Sequence, residues 1–335
     1  LLRQAGIQSL RKCQVEEEPL MHPVHNSNNK ITSSVAKKSI KQFFESIEKN
    51  KSPEPAAKNI VSEKKSLFQP ETVFDFHQAY LEGKTSPVDV AIRLLDIIRS
   101  IEESAVPLRP FIAWKERELM KQANASAERF SKGKPLGILD GVPVSIKDEL
   151  DMLPFKTMIG TRFYSNTPPE QDATSVARLR AAGALMVGKT NMHEIGLGVT
   201  GLNIQCGTTR NPHHLDHYPG GSSSGSAAAV AAGLSPIALG CDGGGSIRIP
   251  ASLCGVVGLK TTWGRISTAG SAPLHWSIGS VGPITSTSID AAIAYSFLAG
   301  PDTRQSCTQE QPAVDLKNFD NTNLEGVKLG IFYSW

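Results

Sequence analysis

Cysteine is sparse in this sequence. There are five in 335 residues (Cys13, Cys206, Cys241, Cys254 and Cys307), and no two of them form a CxxC pair. The spacing excludes a disulfide framework and favours a reducing, intracellular compartment. No His/Cys/Asp cluster has metal-ligand spacing, and NPHHLDHYP, with His213, His214 and His217, reads as a surface loop, so neither a metal nor a cofactor is expected. Net charge is also low, at +3. The first 70 residues hold 12 Lys and Arg against 7 Asp and Glu, and the remainder 23 against 25. A nearly neutral body gives no electrostatic ground for a nucleic-acid partner, and the basic extension reads as a solvated tail. No run is fit to span a membrane. Residues 218–241 are free of charge, but they are rich in Gly and Ser and contain Pro219 and Pro236, which suits buried α/β structure instead. No GxSxG elbow surrounds Ser246, so a Ser-His-Asp triad is not indicated, and there is no internal repeat.

Hydrophobic residues make up 40% of the chain, enough for a sizeable core. Residues 1–70 read as an N-terminal extension. It contains a short amphipathic helix over KKSIKQFFESIEKN and a linker over KSPEPAAKNIVSEKKS. The start at Leu1, with the acid-free LLRQAGIQSLRKCQ, is compatible with a transit peptide. From residue 71 the pattern is that of one ordered unit, 71–335. SPVDVAIRLLDIIRSI predicts a helix with Ser86 as N-cap, Pro87 at its first position, and Val88, Ile92, Leu95 and Ile98 on its apolar face. Residues 115–131 form a second helix pattern. The sequon at Asn124 falls inside it and reads as chance.

Strands then alternate with helices. VPVSIK reads as a strand with Pro143 at its start or at a sheet edge. A helix follows, capped by Asp172 and closed by Gly183. ALMV, an Ala-rich helix over 226–232, a strand over 236–239, a helix over 289–298 and a strand over VKLGIFY complete the series. Such alternation predicts an α/β fold with a mixed, mostly parallel β-sheet covered by helices on both faces. A final strand with nothing after it suggests that a C-terminal part is missing.

Two glycine-rich stretches need separating. GALMVGKT (183–190) satisfies the Walker pattern GxxxxGK[ST]. A phosphate loop, however, follows a strand and turns through its middle residues, whereas here a helix precedes and the middle residues are strand-like. A P-loop hydrolase is therefore a remote alternative. GGSSSGS (220–226) stands directly before the Ala-rich helix, where backbone N–H groups gather near an anion or a developing oxyanion.

Three elements remain: a lysine ending a strand (Lys147), the serine-rich turn, and GGGS with Ser246. Each has a bland reading alone, as a surface ion pair, a helix cap and a tight turn. Together, GVPVSIKD, KTNMHEIGLGVTGLN, GTTRNP, GGSSSGSAAAVAAG and GCDGGGSIRIPASLCGVVGLKTTWGRIS resemble the amidase signature family from about residue 71 to 300, with Ser222 and Ser246 at that family's interval. Within it the sequence looks most like the plant-type fatty acid amide hydrolases, with Ser224 and the HEIGLGVTG block as points of likeness. Cys241 departs from the threonine common there and is expected to matter little.

The resemblance implies a Ser-Ser-Lys triad that cleaves amide bonds through an acyl-enzyme. Ser246 is the nucleophile, Ser222 the proton relay, and Lys147 the base, kept neutral by burial with Asp148 and Glu149 pointing away. It also implies an oxyanion hole from the N–H groups of Gly243, Gly244, Gly245 and Ser246, and a cis peptide before Ser222. Ser223 supports that turn, and Asp242 and Arg248 brace the nucleophile loop. A side chain at Gly244 or Gly245 is expected to damage rate more than folding. The implied partner is a small-molecule amide, by resemblance a lipid such as an N-acylethanolamine. A cytoplasmic location, peripheral membrane contact and a homodimer are compatible with that reading. The alternatives are the glutaminase component of a tRNA-dependent amidotransferase and an inactive binding fragment.

Overall fold

The structure, a computed structural model, describes residues 71–328 apart from 273, 274, 276, 317, 318, 320–322 and 324. The expected extension helix and linker lie outside the described residues, as does most of the expected strand over 327–333.

Helix α1 (Val73–Leu81) opens the described chain, and α2 (Pro87–Glu103) follows. Ser86 caps the start of α2 with Pro87 in its first turn, as the sequence predicts, and Asp89 completes a reciprocal capping box. Such a cap contributes about 1 kcal/mol. The buried face of α2 is Ala91, Leu94, Leu95 and Ile98, while Ile92 is 47% exposed. The expected stripe is therefore rotated by one position. Ala91 is small enough to sit where α2 meets its neighbour, and a count of bulky residues misses it.

The chain continues through β1 (Phe111–Trp114), α3 (Glu116–Ser131), β2 (Pro143–Lys147), α4 (Thr174–Ala181), β3 (Leu185–Thr190), α5 (Ser224–Ala231), β4 (Ile237–Asp242), α6 (Arg248–Cys254), β5 (Val257–Gly258), β6 (Ser280–Thr285) and α7 (Ser288–Leu298). Asp172 does not cap α4. Its N-cap is Ala173, and the Asp172 carboxylate instead accepts from Leu153 N–H and Arg180. A local cap loses here to an ion pair that ties α4 to the loop after β2.

The six strands form one mixed sheet in the order β1-β3-β2-β4-β6-β5, flanked by helices. Parallel pairing is confined to β3-β2-β4, and β1, β6 and β5 pair antiparallel. Parallel neighbours need a crossover, which α4 supplies between β2 and β3 and α5 between β3 and β4. No helix separates β5 from β6 among the described residues, and that pair runs antiparallel. Pro143 is at the start of a central strand rather than at an edge.

Val144, Ile146, Met186, Ile237, Leu239 and Val281 pack on one face against α1, α4 and α7. The other face meets α2, α3, α5 and α6 through Leu185, Val187, Ala238 and Ile284. One irregularity decides where the polar residues go. Between β2 and β3 the register runs Val144↔Met186 and then Ile146↔Lys189, so β3 carries one extra residue. A bulge flips every later side chain to the other face. Lys189 accordingly joins the face of Ile146, while Thr190 falls opposite Lys147 and shares a hydrogen bond with Ser226 of α5. Gly188 lies within the bulge, where a Cβ would come within 2.5 Å of the Ala113 carbonyl oxygen of β1.

Asp290 links α1 to α7. Its carboxylate accepts from Val73 N–H at 3.0 Å and from the Thr287 hydroxyl at 2.8 Å. Burial raises its pKa to about 6, against the lowering effect of those two bonds. An unfolded Asp titrates at about 3.9, so the folded state holds the proton more tightly, and stability falls as pH rises from about 4 to about 6, by on the order of 2–3 kcal/mol. Asp290→Asn removes that loss. Melting curves at pH 4 and 7 should show the variant gaining on the native protein as pH rises, and a parallel shift of both proteins would contradict this.

Candidate active site

Lys147 ends the central strand β2, fully buried, on the face that carries α5. Its Nζ donates to Ser222 Oγ at 2.8 Å and approaches the Cys241 carbonyl oxygen at 3.4 Å. Ser222 sits in the turn that leads into α5. The Gly221–Ser222 peptide is cis, as the resemblance implied, and Gly220 has φ +86°. A Cβ at Gly221 would meet Gly201 N at 2.7 Å and the Gly198 carbonyl oxygen at 2.9 Å, so only glycine lets the 198–201 backbone close over the turn. Ser223 ties the turn to the second loop: its N–H donates to the Ser246 carbonyl oxygen at 3.1 Å, and its hydroxyl to that of Cys241 at 3.4 Å.

The second loop runs from the end of β4 to the start of α6 and is organised by Asp242. This buried carboxylate accepts from the N–H groups of Gly245 (2.7 Å), Ile247 (3.1 Å) and Arg248 (3.3 Å), and from the Arg248 guanidinium at 3.0 Å. Burial works to raise the Asp242 carboxyl, but Arg248 and the three N–H groups outweigh it and hold it below the usual range. Asp242 and Arg248 thus stand where a brace was expected.

Two expectations about this loop need correcting. Gly245 N–H is engaged by Asp242 and does not open toward a substrate, which leaves the N–H groups of Gly243, Gly244 and Ser246 with no acceptor among the described residues. Side chains at Gly244 and Gly245 are also not equivalent. At Gly244 a Cβ meets nothing within 4 Å, whereas Gly245 has φ +138° and its Cβ would come within 2.5 Å of Ile249. Substitution at Gly245 therefore strains the loop itself. Ser246 is half-buried, and its hydroxyl makes no hydrogen bond among the described residues.

A third correction concerns the carboxylates beside Lys147. Asp148 does point away, to the face of Lys189, and pairs with that amine at 3.2 Å. Burial opposes both charges of the pair, pushing the carboxyl up and the amine down. Glu149 does the opposite of what was expected. Its carboxylate returns to Lys147 Nζ at 2.8 Å, with the lysine fully buried and the glutamate side chain 12% exposed. The chain turns directly after Lys147, where Leu150 N–H donates to the Lys147 carbonyl oxygen at 3.0 Å, and this turn brings the Glu149 carboxylate back to the amine.

Ser222, Asp242, Gly243, Gly244, Ser246 and Glu149 line a cavity of about 780 Å³. Its remaining wall includes Leu197, Val199, Ile249, Ile278 and Val281, with Arg304 and His275 as polar members. Cys241 also lines it. Its buried thiol, pushed up chiefly by desolvation and then by Glu149, lies 3.7 Å from Ser271 Oγ. The loop 196–199 and Cys241 were not foreseen as cavity residues. The Walker-like segment ends inside β3, with Lys189 bonded to the Leu150 carbonyl oxygen at 2.7 Å. His213 is bonded to the Cys254 carbonyl oxygen, and His214 and His217 contact each other. Among the described residues no group of three or more His, Cys, Asp and Glu could hold a metal, and no helix is long and apolar enough to cross a membrane.

Known proteins resemble the chain through this same region. It is 42% identical over 266 residues to a fatty acid amide hydrolase of Oryza sativa subsp. indica, covering 78% of this chain and 44% of that protein. It is 37% identical over 262 residues to the A-type component of the glutamyl-tRNA(Gln) amidotransferase of Alkaliphilus metalliredigens, covering 78% and 52%. Among solved structures, a peptide amidase from Stenotrophomonas maltophilia matches with TM-score 0.69 and 34% identity, over 72% of this chain and 50% of that one. The chain thus spans about half the length of the curated relatives it matches. The amidase family model matches residues 94–334, from within α2 through β2, both serine turns and the whole sheet, and the chain belongs to that family.

Proposed function

We propose that this chain carries the reaction centre of an amide hydrolase that works through an acyl-enzyme on Ser246. The observation that carries the reading is the buried 2.8 Å contact from Lys147 Nζ to Ser222 Oγ, which opens on the same cavity as the unpartnered Ser246 hydroxyl.

A serine hydroxyl is a weak nucleophile until a base takes its proton. Ser246 Oγ attacks the amide carbonyl carbon. Its proton passes to Ser222 Oγ, which gives its own to Lys147. Negative charge grows on the carbonyl oxygen in front of the N–H groups of Gly243, Gly244 and Ser246, where one donor contributes about 2.7–4 kcal/mol of transition-state stabilisation. The leaving amine then takes a proton back through Ser222, and water hydrolyses the acyl-enzyme by the same relay.

Fatty acid amides such as N-acylethanolamines are the substrate class in this reading. The support is the aliphatic wall formed by Leu197, Val199, Ile249, Ile278 and Val281 beside Ser246. Glutamine, the substrate of the amidotransferase reading, has no long apolar part to bury there. Each buried methylene is worth about 0.8 kcal/mol, so kcat/KM for a long-chain acylethanolamide should exceed that for glutamine by more than about 100-fold. Turnover of glutamine alone would overturn the assignment of substrate. Turnover of neither would leave the inactive-fragment reading standing.

A further inference from the structure

Resting on the roles just given to Ser246, Ser222 and Lys147, we propose that Glu149 is a positioning residue that makes Lys147 a base, the two side chains forming one buried pair that shares a mobile proton. An ammonium has no lone pair and cannot accept a proton from Ser222. Losing its proton to solvent would leave the Glu149 carboxylate beside it, largely buried and without its cation, at a cost of several kcal/mol. Moving the proton across the 2.8 Å contact avoids that cost. One Nζ–H bond of Lys147 breaks, one O–H bond of Glu149 forms, and the pair goes from two opposite charges to none. The amine then accepts the Ser222 proton as Ser222 accepts that of Ser246. The Ser246 oxygen bonds to the carbonyl carbon, and the carbonyl electron pair moves to its oxygen. When the carbon–nitrogen bond breaks, the leaving amine takes the proton from Ser222, Lys147 replenishes Ser222, and Glu149 returns its proton to Lys147 once the cycle closes.

The surroundings leave Glu149 to this task. From β4 the Cys241 thiol lies on the same cavity, its pKa raised by burial and, to a smaller extent, by Glu149. From the loop before β6, Ala272 N–H donates to the Glu149 carbonyl oxygen at 2.8 Å, and Ser271 stands against Cys241. The other nearby carboxylates have their own cations: Asp148 pairs with Lys189, and Asp242 with Arg248. His275, Arg304 and Cys307 line the same cavity, so they too face the space in front of the pair.

The test is the pH dependence of Ser246 labelling by a fluorophosphonate, with the adduct located by mass spectrometry, on the full chain and on Glu149→Gln, Glu149→Ala and Glu149→Asp. Circular dichroism at each pH establishes that each variant is folded, and Glu149→Ala serves if Glu149→Gln is not. With the pair acting together, the native protein stays reactive well into acid, because its working form holds one proton. Glu149→Gln and Glu149→Ala can work only with Lys147 fully deprotonated. Their acid limb should move up by more than about one pH unit, so that labelling falls about tenfold per pH unit below the new limb and recovers in alkali. Glu149→Asp should keep the native limb. If Lys147 acts alone, removing a neighbouring carboxylate favours its neutral form and the limb moves down. A limb that moves down or stays overturns this inference and leaves the proposed function intact. Absence of Ser246 labelling in the native chain overturns both.

Discussion

Ser246→Ala is expected to lower kcat/KM for amide hydrolysis by about 10⁴- to 10⁶-fold, the cost of removing a nucleophile that works only as part of a unit. The same change should leave the melting temperature almost unmoved. Ser246 is half-buried, its hydroxyl has no partner among the described residues, and the loop around it is held by Asp242 through backbone N–H groups that do not involve the 246 side chain. Truncation therefore orphans nothing, and a change of this kind stays within about 0.5 kcal/mol. Assay and thermal melt on one preparation separate the two effects. Activity within about tenfold of the native protein would remove Ser246 from the chemistry. A collapse of the melt would instead make it a structural residue, which its lack of partners argues against.

Much of this site was legible in the sequence because its parts are backbone devices with sequence signatures. Glycine at 220 and 221 marks a turn that other backbone closes over, and GGGS marks the loop that Asp242 holds through the Gly245 N–H. Lysine at the end of an apolar strand, between two serine turns, places an amine at the carboxyl ends of β2 and β4, where α/β sheets gather their ligands. β2, β3 and β4 were legible from apolar runs and α2 from Ser86 and Pro87, whereas β1, β5 and β6 were not foreseen. What could not be read depended on tertiary register. The extra residue in β3 decides that Lys189, rather than Lys147, meets Asp148. It arises from β1 lying against Gly188, a contact distant in sequence. Asp172 shows the same limit: a local capping assignment was available, and its carboxylate was instead claimed by the Arg180 guanidinium eight positions away and by Leu153 N–H. Glu149 differs in kind. Alternation at a strand end predicts that it points away from Lys147, but the chain turns there and its carboxylate comes back to the amine.

Lys147→Met should abolish hydrolysis and, unlike Ser246→Ala, destabilise the fold. Methionine fills the volume of the lysine stem, so packing at the end of β2 survives. The loss of the amine strips Glu149 of its cation and Ser222 of its donor. Breaking a buried pair from one side costs about 3–5 kcal/mol, because the remaining charge stays where water reaches it poorly. With the glutamate side chain 12% exposed, the lower end of that range is the better expectation. Activity should fall by about 10⁴-fold or more, as for loss of a base that acts in concert with its nucleophile. The double variant Lys147→Met/Glu149→Gln distinguishes the two contributions. With both charges gone no orphan remains, and most of the lost stability should return, giving a coupling energy of about 1–3 kcal/mol in the double-mutant cycle. Activity should not return, because no side chain is left to take the Ser222 proton. Recovery of stability together with activity would show that Lys147 serves only to neutralise Glu149. An additive cycle would show that the 2.8 Å contact carries no net energy. The combination expected here, stability restored and hydrolysis still lost, follows only if one amine both holds the carboxylate in place and serves as the base for two serines.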